Sequence, residues 1–369
     1  MSREALKAAP PTELRELDGL PDCLLAADTR DLAALLGGPT LLHLAGSRQP
    51  PLFVCALLHG NEDVGWEAVR ELLGGHLRRA GRLHLPRAMS LFLGNLEAAA
   101  KGVRHLPGQP DYNRVWPGSE LPETPEHDLM TQVVEVMARR GVFASVDLHN
   151  NTGHNPHYAC VNSIDNAFLQ LATLFSRTVV YFIRPRGVQS QAMSRFCPAV
   201  TLECGKVGER HGVEHARDYL DACLHLSALP DHPVPCHDID LFHTVAQVKV
   251  PDEVSFSFGP DAKGGDIGFT PDLDRLNFRE LPAGTTLGRV RRPGARLLVY
   301  DEQGRNLAQR YLSLEDGELR LRLPVMPSML TCDATVVRQD CLGYFMERYE
   351  RQARRADHRT GASAEHAAG

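Results

Sequence analysis

Two textures of apolar and polar positions divide this chain. Up to about residue 230, short unbroken apolar runs alternate with stretches whose apolar positions recur every three or four residues. The run 52–58 (LFVCALL) has no polar interruption, the pattern of a strand buried on both faces. It leads into His59, and beyond it Val64, Ala68, Val69, Leu72, Leu73 and Leu77 fall at helical spacing. Asn61 is placed to cap that helix, and Glu62 and Asp63 suit its electropositive start. Further strands are predicted at 89–94, 142–149, 177–184 and 198–203, with helices at 126–140 and 211–229. Such alternation predicts an α/β layer architecture around a largely parallel or mixed sheet.

Past the proline-bearing link 230–235 the period shortens to two. Residues 241–250 and 253–258 alternate, and in 317–324 Leu319, Leu321 and Leu323 oppose Arg320 and Arg322. The stretch 296–309 reads as a hairpin turning at 302–304. The chain is therefore divided into a catalytic domain at 1–235, a smaller β-rich domain at 236–340 and a terminal piece at 341–369. In that piece Leu342, Phe345, Met346 and Tyr349 predict a closing helix, and the polar tail after Arg354 predicts disorder.

Composition narrows the function classes. With 43% hydrophobic and 23% charged residues, the chain is of soluble globular type. A net charge of -6 and a pI near 6.3 leave no footprint for nucleic acid. Nine scattered cysteines without a C-x-x-C pair disfavour a disulfide framework and a cysteine zinc site, and read as small buried hydrophobes. No stretch approaches the ~20 apolar residues of a membrane span, and the first residues lack the apolar core of a signal peptide. The expected location is the cytoplasm; homo-oligomerisation stays open.

Four short motifs carry candidate chemistry. His59-Gly-Asn-Glu62 sits at a strand-to-helix junction, where a turn at Gly60 lets an imidazole and a carboxylate converge on one cation. Seen alone, it equally fits a glutamate that complements the helix dipole. In Ser145-Val-Asp147-Leu-His149-Asn150, residues two apart on a strand face the same way, so Asp147 can orient His149 as a ligand or form a structural pair with it. Thr201-Leu-Glu203-Cys-Gly205 ends an apolar strand with a carboxylate whose pKa burial would raise toward the range of a general base. In Asp111-Tyr-Asn113-Arg114 the arginine fork suits a carboxylate. Thirty-five of the forty basic residues are arginine, so that motif alone selects little. All four lie at or near predicted strand ends, where open α/β sheets place ligands.

Taken in order, H-G-N-E, D-x-N-R, D-L-H-N and L-E-x-G resemble the succinylglutamate desuccinylase/aspartoacylase family, relatives of the zinc carboxypeptidases. The resemblance covers roughly residues 50–210 and extends loosely into the β-rich part. It implies a carboxypeptidase-like α/β fold with a smaller C-terminal β domain, and one zinc per chain held by His59, Glu62 and His149. It further implies Glu203 as general base and Asn113 and Arg114 as contacts to a substrate carboxylate, with Asn150 beside them. Arg104 is the nearest match for an oxyanion-stabilising arginine, and Arg195 for a further substrate arginine. The motif here reads D-Y-N-R where the family has D-L-N-R.

The function expected is hydrolysis of an amide in a small anionic N-acyl amino acid. A carboxypeptidase acting on a peptide or peptidoglycan fragment is the second reading, and a non-catalytic zinc-containing binding protein the third. An intact Glu203 beside the ligand set speaks against the third, because a binder has no use for the base.

Overall fold

The computed structural model describes residues 12–259 and 264–350; the expected disordered tail lies outside them. The strands, in chain order, are β1 (Arg15–Asp18), β2 (Thr40–Leu44), β3 (Leu52–Ala56), β4 (Met89–Leu93), β5 (Ala144–Asn151), β6 (Tyr158–Val161), β7 (Thr178–Tyr181), β8 (Ala199–Lys206) and β9 (Asp240–Lys249). They continue as β10 (Phe256–Phe258), β11 (Ile267–Phe269), β12 (Thr286–Val290), β13 (Leu298–Asp301), β14 (Leu312–Glu315), β15 (Glu318–Leu321), β16 (Met326–Ser328) and β17 (Gly343–Arg348).

A mixed sheet runs β1-β2-β4-β3-β5-β8-β6-β7-β9-β17-β16, with β13 attached to β9. Its centre, β4-β3-β5-β8, is parallel. Every residue of β3 and β5 is buried, which is why β3 is an unbroken apolar run, whereas β5 carries Ser145, Asp147, His149, Asn150 and Asn151 as buried polar residues. Helices Val64–Ala80 and Arg210–His225 pack together on the sheet, and Val64, Ala68, Val69, Leu72 and Leu73 are buried as their spacing predicts.

The region beyond 235 does not start as a separate layer. β9 pairs in parallel with β7 and β17 pairs with β9, so the central sheet continues through it. A second sheet, β10-β11-β12-β15-β14, then packs around its own core, including Phe269, Leu287, Leu319 and Phe345.

Two expectations are corrected and one is met in part. The expected closing helix is strand β17, in which Tyr344, Phe345 and Met346 are all buried because neighbours flank it on both edges. The hairpin expected at 296–309 is present in short form: the chain turns at 301–305, Tyr300 and Asn306 bridge antiparallel and Leu307 N–H donates to Val299 O at 2.7 Å, while β13 also pairs with β9. The start of helix Val64–Ala80 is not capped by Asn61; its N-cap is Asp63, without a side-chain bond.

Candidate active site

The strand order dictates the site. His59 follows β3, His149 lies near the end of β5 and Glu203 near the end of β8, so three adjacent parallel strands deliver them to one sheet edge. Between β3 and His59 the chain turns through Leu57, at φ 59°. Gly60 is needed for a different reason from the turn expected there. A Cβ on it would lie 2.2 Å from the backbone of Ala98, so only glycine lets helix Leu96–Lys101 approach this closely.

His59, Glu62 and His149 are buried, and their donor atoms lie within 4.8 Å of one another. His59 Nδ1 is 2.8 Å from Glu62 Oε1, and His149 Nδ1 is 2.7 Å from Glu62 Oε2. The outer ring nitrogens meet carboxylates: His59 Nε2 is 3.0 Å from Asp111 Oδ1, and His149 Nε2 is 2.8 Å from Asp147 Oδ2. A carboxylate on each outer nitrogen would keep the proton there when a metal ion is bound, leaving Nδ1 to ligate it in place of its present contact with Glu62. Two imidazoles and one carboxylate converging in a buried site suit a divalent metal ion with a position left open. Asp147 is fully buried.

Charge around the triad is arranged in pairs. Burial opposes the Glu62 carboxylate, yet His59 and His149 hold its pKa far below the ordinary value. Burial likewise opposes Asp111, but Arg104, His59 and Arg114 keep it well below the usual carboxylate range. For His149, burial is outweighed by Asp147 and Glu62, and the ring rises well above its usual value.

Glu203 behaves in the opposite way. It is 5% exposed, and its Oε2 accepts from Asn151 Nδ2 at 3.2 Å. Burial pushes its pKa up to about 7, with Glu62 and Asp147 adding to the rise and both histidines opposing it. A carboxyl poised there can take a proton and return it near neutral pH.

The remaining expected residues divide. Arg104, Asn113, Arg114 and Asn150 all line the cavity beside the triad. Arg104 donates through Nε and Nη2 to Asp111 Oδ2, and its Nη1 lies 3.6 Å from Glu62 Oε1. Asn113 Oδ1 accepts from the Gln189 backbone N–H at 3.0 Å, while its Nδ2 lies 3.2 Å from His149 Nε2. Asn150 is a tie within the fold: Oδ1 accepts from Val64 N–H at 3.2 Å, satisfying the open helix start, and Nδ2 donates to Gly205 O at 3.0 Å. Arg195 is not brought in. It is exposed, with its guanidinium over Gly118, and does not line the cavity.

Sequence reasoning missed three functional side chains. Asp111 belonged to a motif read for its asparagine and arginine, yet it orients His59, holds Arg104 and accepts from Asn113 N–H at 2.8 Å. Arg184 lines the cavity from the segment after β7, its fork on Glu120 at 2.6 and 3.0 Å. Asp340, just ahead of β17, accepts from Arg114 Nη2 at 2.9 Å and from Arg104 Nη2 at 3.4 Å. Arg184 is the last residue of the strand predicted at 177–184, a position that could have drawn attention; nothing local marks Asp340.

Comparison with known proteins fits this geometry. Residues 48–228 match the family model of the succinylglutamate desuccinylase/aspartoacylase catalytic domain. A comparison with curated proteins gives no match. Among solved structures, a succinylglutamate desuccinylase/aspartoacylase from Rhodobacter sphaeroides is similar at TM-score 0.54 and 17% identity, over 83% of this chain and 88% of that one. The succinylglutamate desuccinylase from Chromobacterium violaceum is similar at TM-score 0.52 and 20% identity, over 81% and 85%. Murine aminoacylase 3 is similar at TM-score 0.52 and 16% identity, over 82% and 97%. At such identities the likeness is one of fold. Residues 48–228, which carry the histidine–glutamate–histidine cluster and Glu203, form a catalytic domain of the succinylglutamate desuccinylase/aspartoacylase family.

Proposed function

We propose that this protein is a zinc-dependent hydrolase that removes the acyl group from a small N-acyl amino acid. The observation that carries the reading is Glu203: a buried carboxyl at about 7, paired in register with His149 of the ligand cluster. His59, Glu62 and His149 would hold the zinc. Such an ion, when bound, acidifies a water and polarises a carbonyl.

The protein's own groups supply the rest. Glu203 takes the proton of the attacking water and passes it to the leaving amine nitrogen. Arg104 Nη1 makes no hydrogen bond with any described residue, and it faces the charge that develops on the scissile carbonyl oxygen. Since the His149 Nε2–H points to Asp147, the Asn113 amide protons have no acceptor on that ring and are free for substrate.

Support for a small substrate comes from the wall of the cavity. Ser328, Met329, Val336, Asp340, Cys341 and Tyr344, all from beyond residue 325, close one side of it. A long peptide would have to pass this wall.

The test is a panel assay on zinc-loaded protein. N-acyl amino acids should be turned over and tri- or tetrapeptides rejected. Release of C-terminal residues from peptides, with no activity on any N-acyl amino acid, would overturn the reading in favour of a carboxypeptidase.

A further inference from the structure

Arg114 lies where a substrate carboxylate is expected to dock, but the protein already supplies a carboxylate there. Asp340 Oδ2 sits 2.9 Å from Arg114 Nη2 and 3.4 Å from Arg104 Nη2, and Asp111 Oδ2 sits 2.8 Å from the same Arg104 nitrogen. The side chains of Arg104, Asp111, Asp340 and Arg114 are 10%, 10%, 15% and 17% exposed. Two guanidinium charges meet two carboxylates, so this nearly dry cluster is already neutral. A second substrate carboxylate would bring a third anion to two cations, the arrangement that costs most where water cannot screen it.

Asp340 is held in place by backbone. Its N–H donates to Val336 O at 2.8 Å, and two residues on, Leu342 N–H donates to Val248 O at 2.9 Å as the chain enters β17. Cys341 and Leu342 are buried. The backbone at Asp340 is thereby tied to the strand that pairs with β9, and the two arginines hold its carboxylate.

The other oxygen of this carboxylate is available. Asp340 Oδ1 takes no hydrogen bond from any described residue, and Asp340 lines both the cavity at the triad and a second cavity that shares Arg114 and Tyr344 with it. Distance fits a short side chain, because one guanidinium spans from Asp340 to Glu62: Arg104 touches the former through Nη2 and approaches the latter at 3.6 Å through Nη1. Arg184 is the one further arginine lining the cavity among the described residues, with a side chain 33% exposed, and its fork is likewise paired with a carboxylate of the protein, that of Glu120.

We infer that Asp340 sets the substrate class of this site: the group that reaches Arg104 and Arg114 is an amide, hydroxyl or ammonium donating to Asp340, and substrates with a second carboxylate are discriminated against. The inference rests on the acyl-hydrolase reading above, and concerns which N-acyl amino acids that reading admits.

N-acetyl-L-asparagine and N-acetyl-L-aspartate differ at one group and have nearly the same shape, so they isolate the charge. Zinc-loaded wild-type protein should bind and hydrolyse the asparagine compound better, by about 10–10²-fold in kcat/KM. Asp340→Asn should reverse the order, since it frees Arg114 for the carboxylate. Calorimetric titration of both compounds gives a readout that does not need turnover. Preferential binding of N-acetyl-L-asparagine without hydrolysis of either would sink the acyl-hydrolase reading and leave the role of Asp340 standing. Equal binding, no binding of either, or a wild-type preference for N-acetyl-L-aspartate would overturn the role itself. The wild-type comparison decides the matter even if Asp340→Asn does not fold.

Discussion

His149 on β5 and Glu203 on β8 face each other as register partners in adjacent parallel strands. One pairing therefore sets a metal ligand beside the candidate base, and neither can move without shifting the central sheet. The same register explains the pKa of Glu203: the strand buries it, and the imidazole beside it lowers the rise without cancelling it.

Glu203→Gln keeps shape and burial but removes the base. Bound zinc should stay at one per chain by elemental analysis, while kcat falls by roughly 10²–10⁴-fold. Turnover close to wild type would place the base elsewhere.

The pH dependence follows from the same group. Glu203 acts as a base only when ionised, so activity should fall as pH drops below its pKa. The protein's own groups set that pKa at about 7, and a nearby dication, favouring the anion, pulls it lower. An acid limb of kcat/KM at or below neutrality should therefore be present in wild type and lost from the residual activity of Glu203→Gln. A limb of unchanged position in that variant would assign it to another group.

Asp147→Asn tests how His149 is held. The Asp147 carboxylate accepts from the ring nitrogen opposite the one that faces Glu62, and its loss should weaken zinc affinity by about 10–10²-fold. Competition with a fluorescent chelator measures this. Affinity equal to wild type would mean that the ring is oriented by other contacts.

Arg114→Ala leaves the Asp340 carboxylate with Arg104 alone, at 3.4 Å. Breaking a buried pair by removing one partner should destabilise the fold by about 3–5 kcal/mol in urea unfolding. The double replacement Arg114→Met with Asp340→Leu should recover most of it, because no uncompensated charge remains. If the double variant is as unstable as Arg114→Ala, the loss comes from packing and not from charge.

What the sequence by itself determined is local in origin. His59 and Glu62 share one turn, Asp147 and His149 share one strand face, and Glu203 closes an apolar run, so each motif announces its chemistry within a few residues. The unbroken apolar run of β3 and the mainly apolar residues leading to His149 in β5 and Glu203 in β8 placed those motifs near strand ends, since strands covered on both faces favour apolar residues. Tertiary structure decided what depended on distant segments. β17 reads as a helix because Leu342, Phe345, Met346 and Tyr349 fit a helical period; burial on both faces of a paired strand removes the alternation that would have corrected it. Asn150 and Arg195 were placed by motif and proximity, but one is consumed by a helix start and the other points outward. Asp340 and Arg114 lie 226 residues apart. Only the joining of β9 and β17 to the central sheet brings that carboxylate to the arginines, and no local pattern encodes a contact made by sheet pairing between the two ends of a chain.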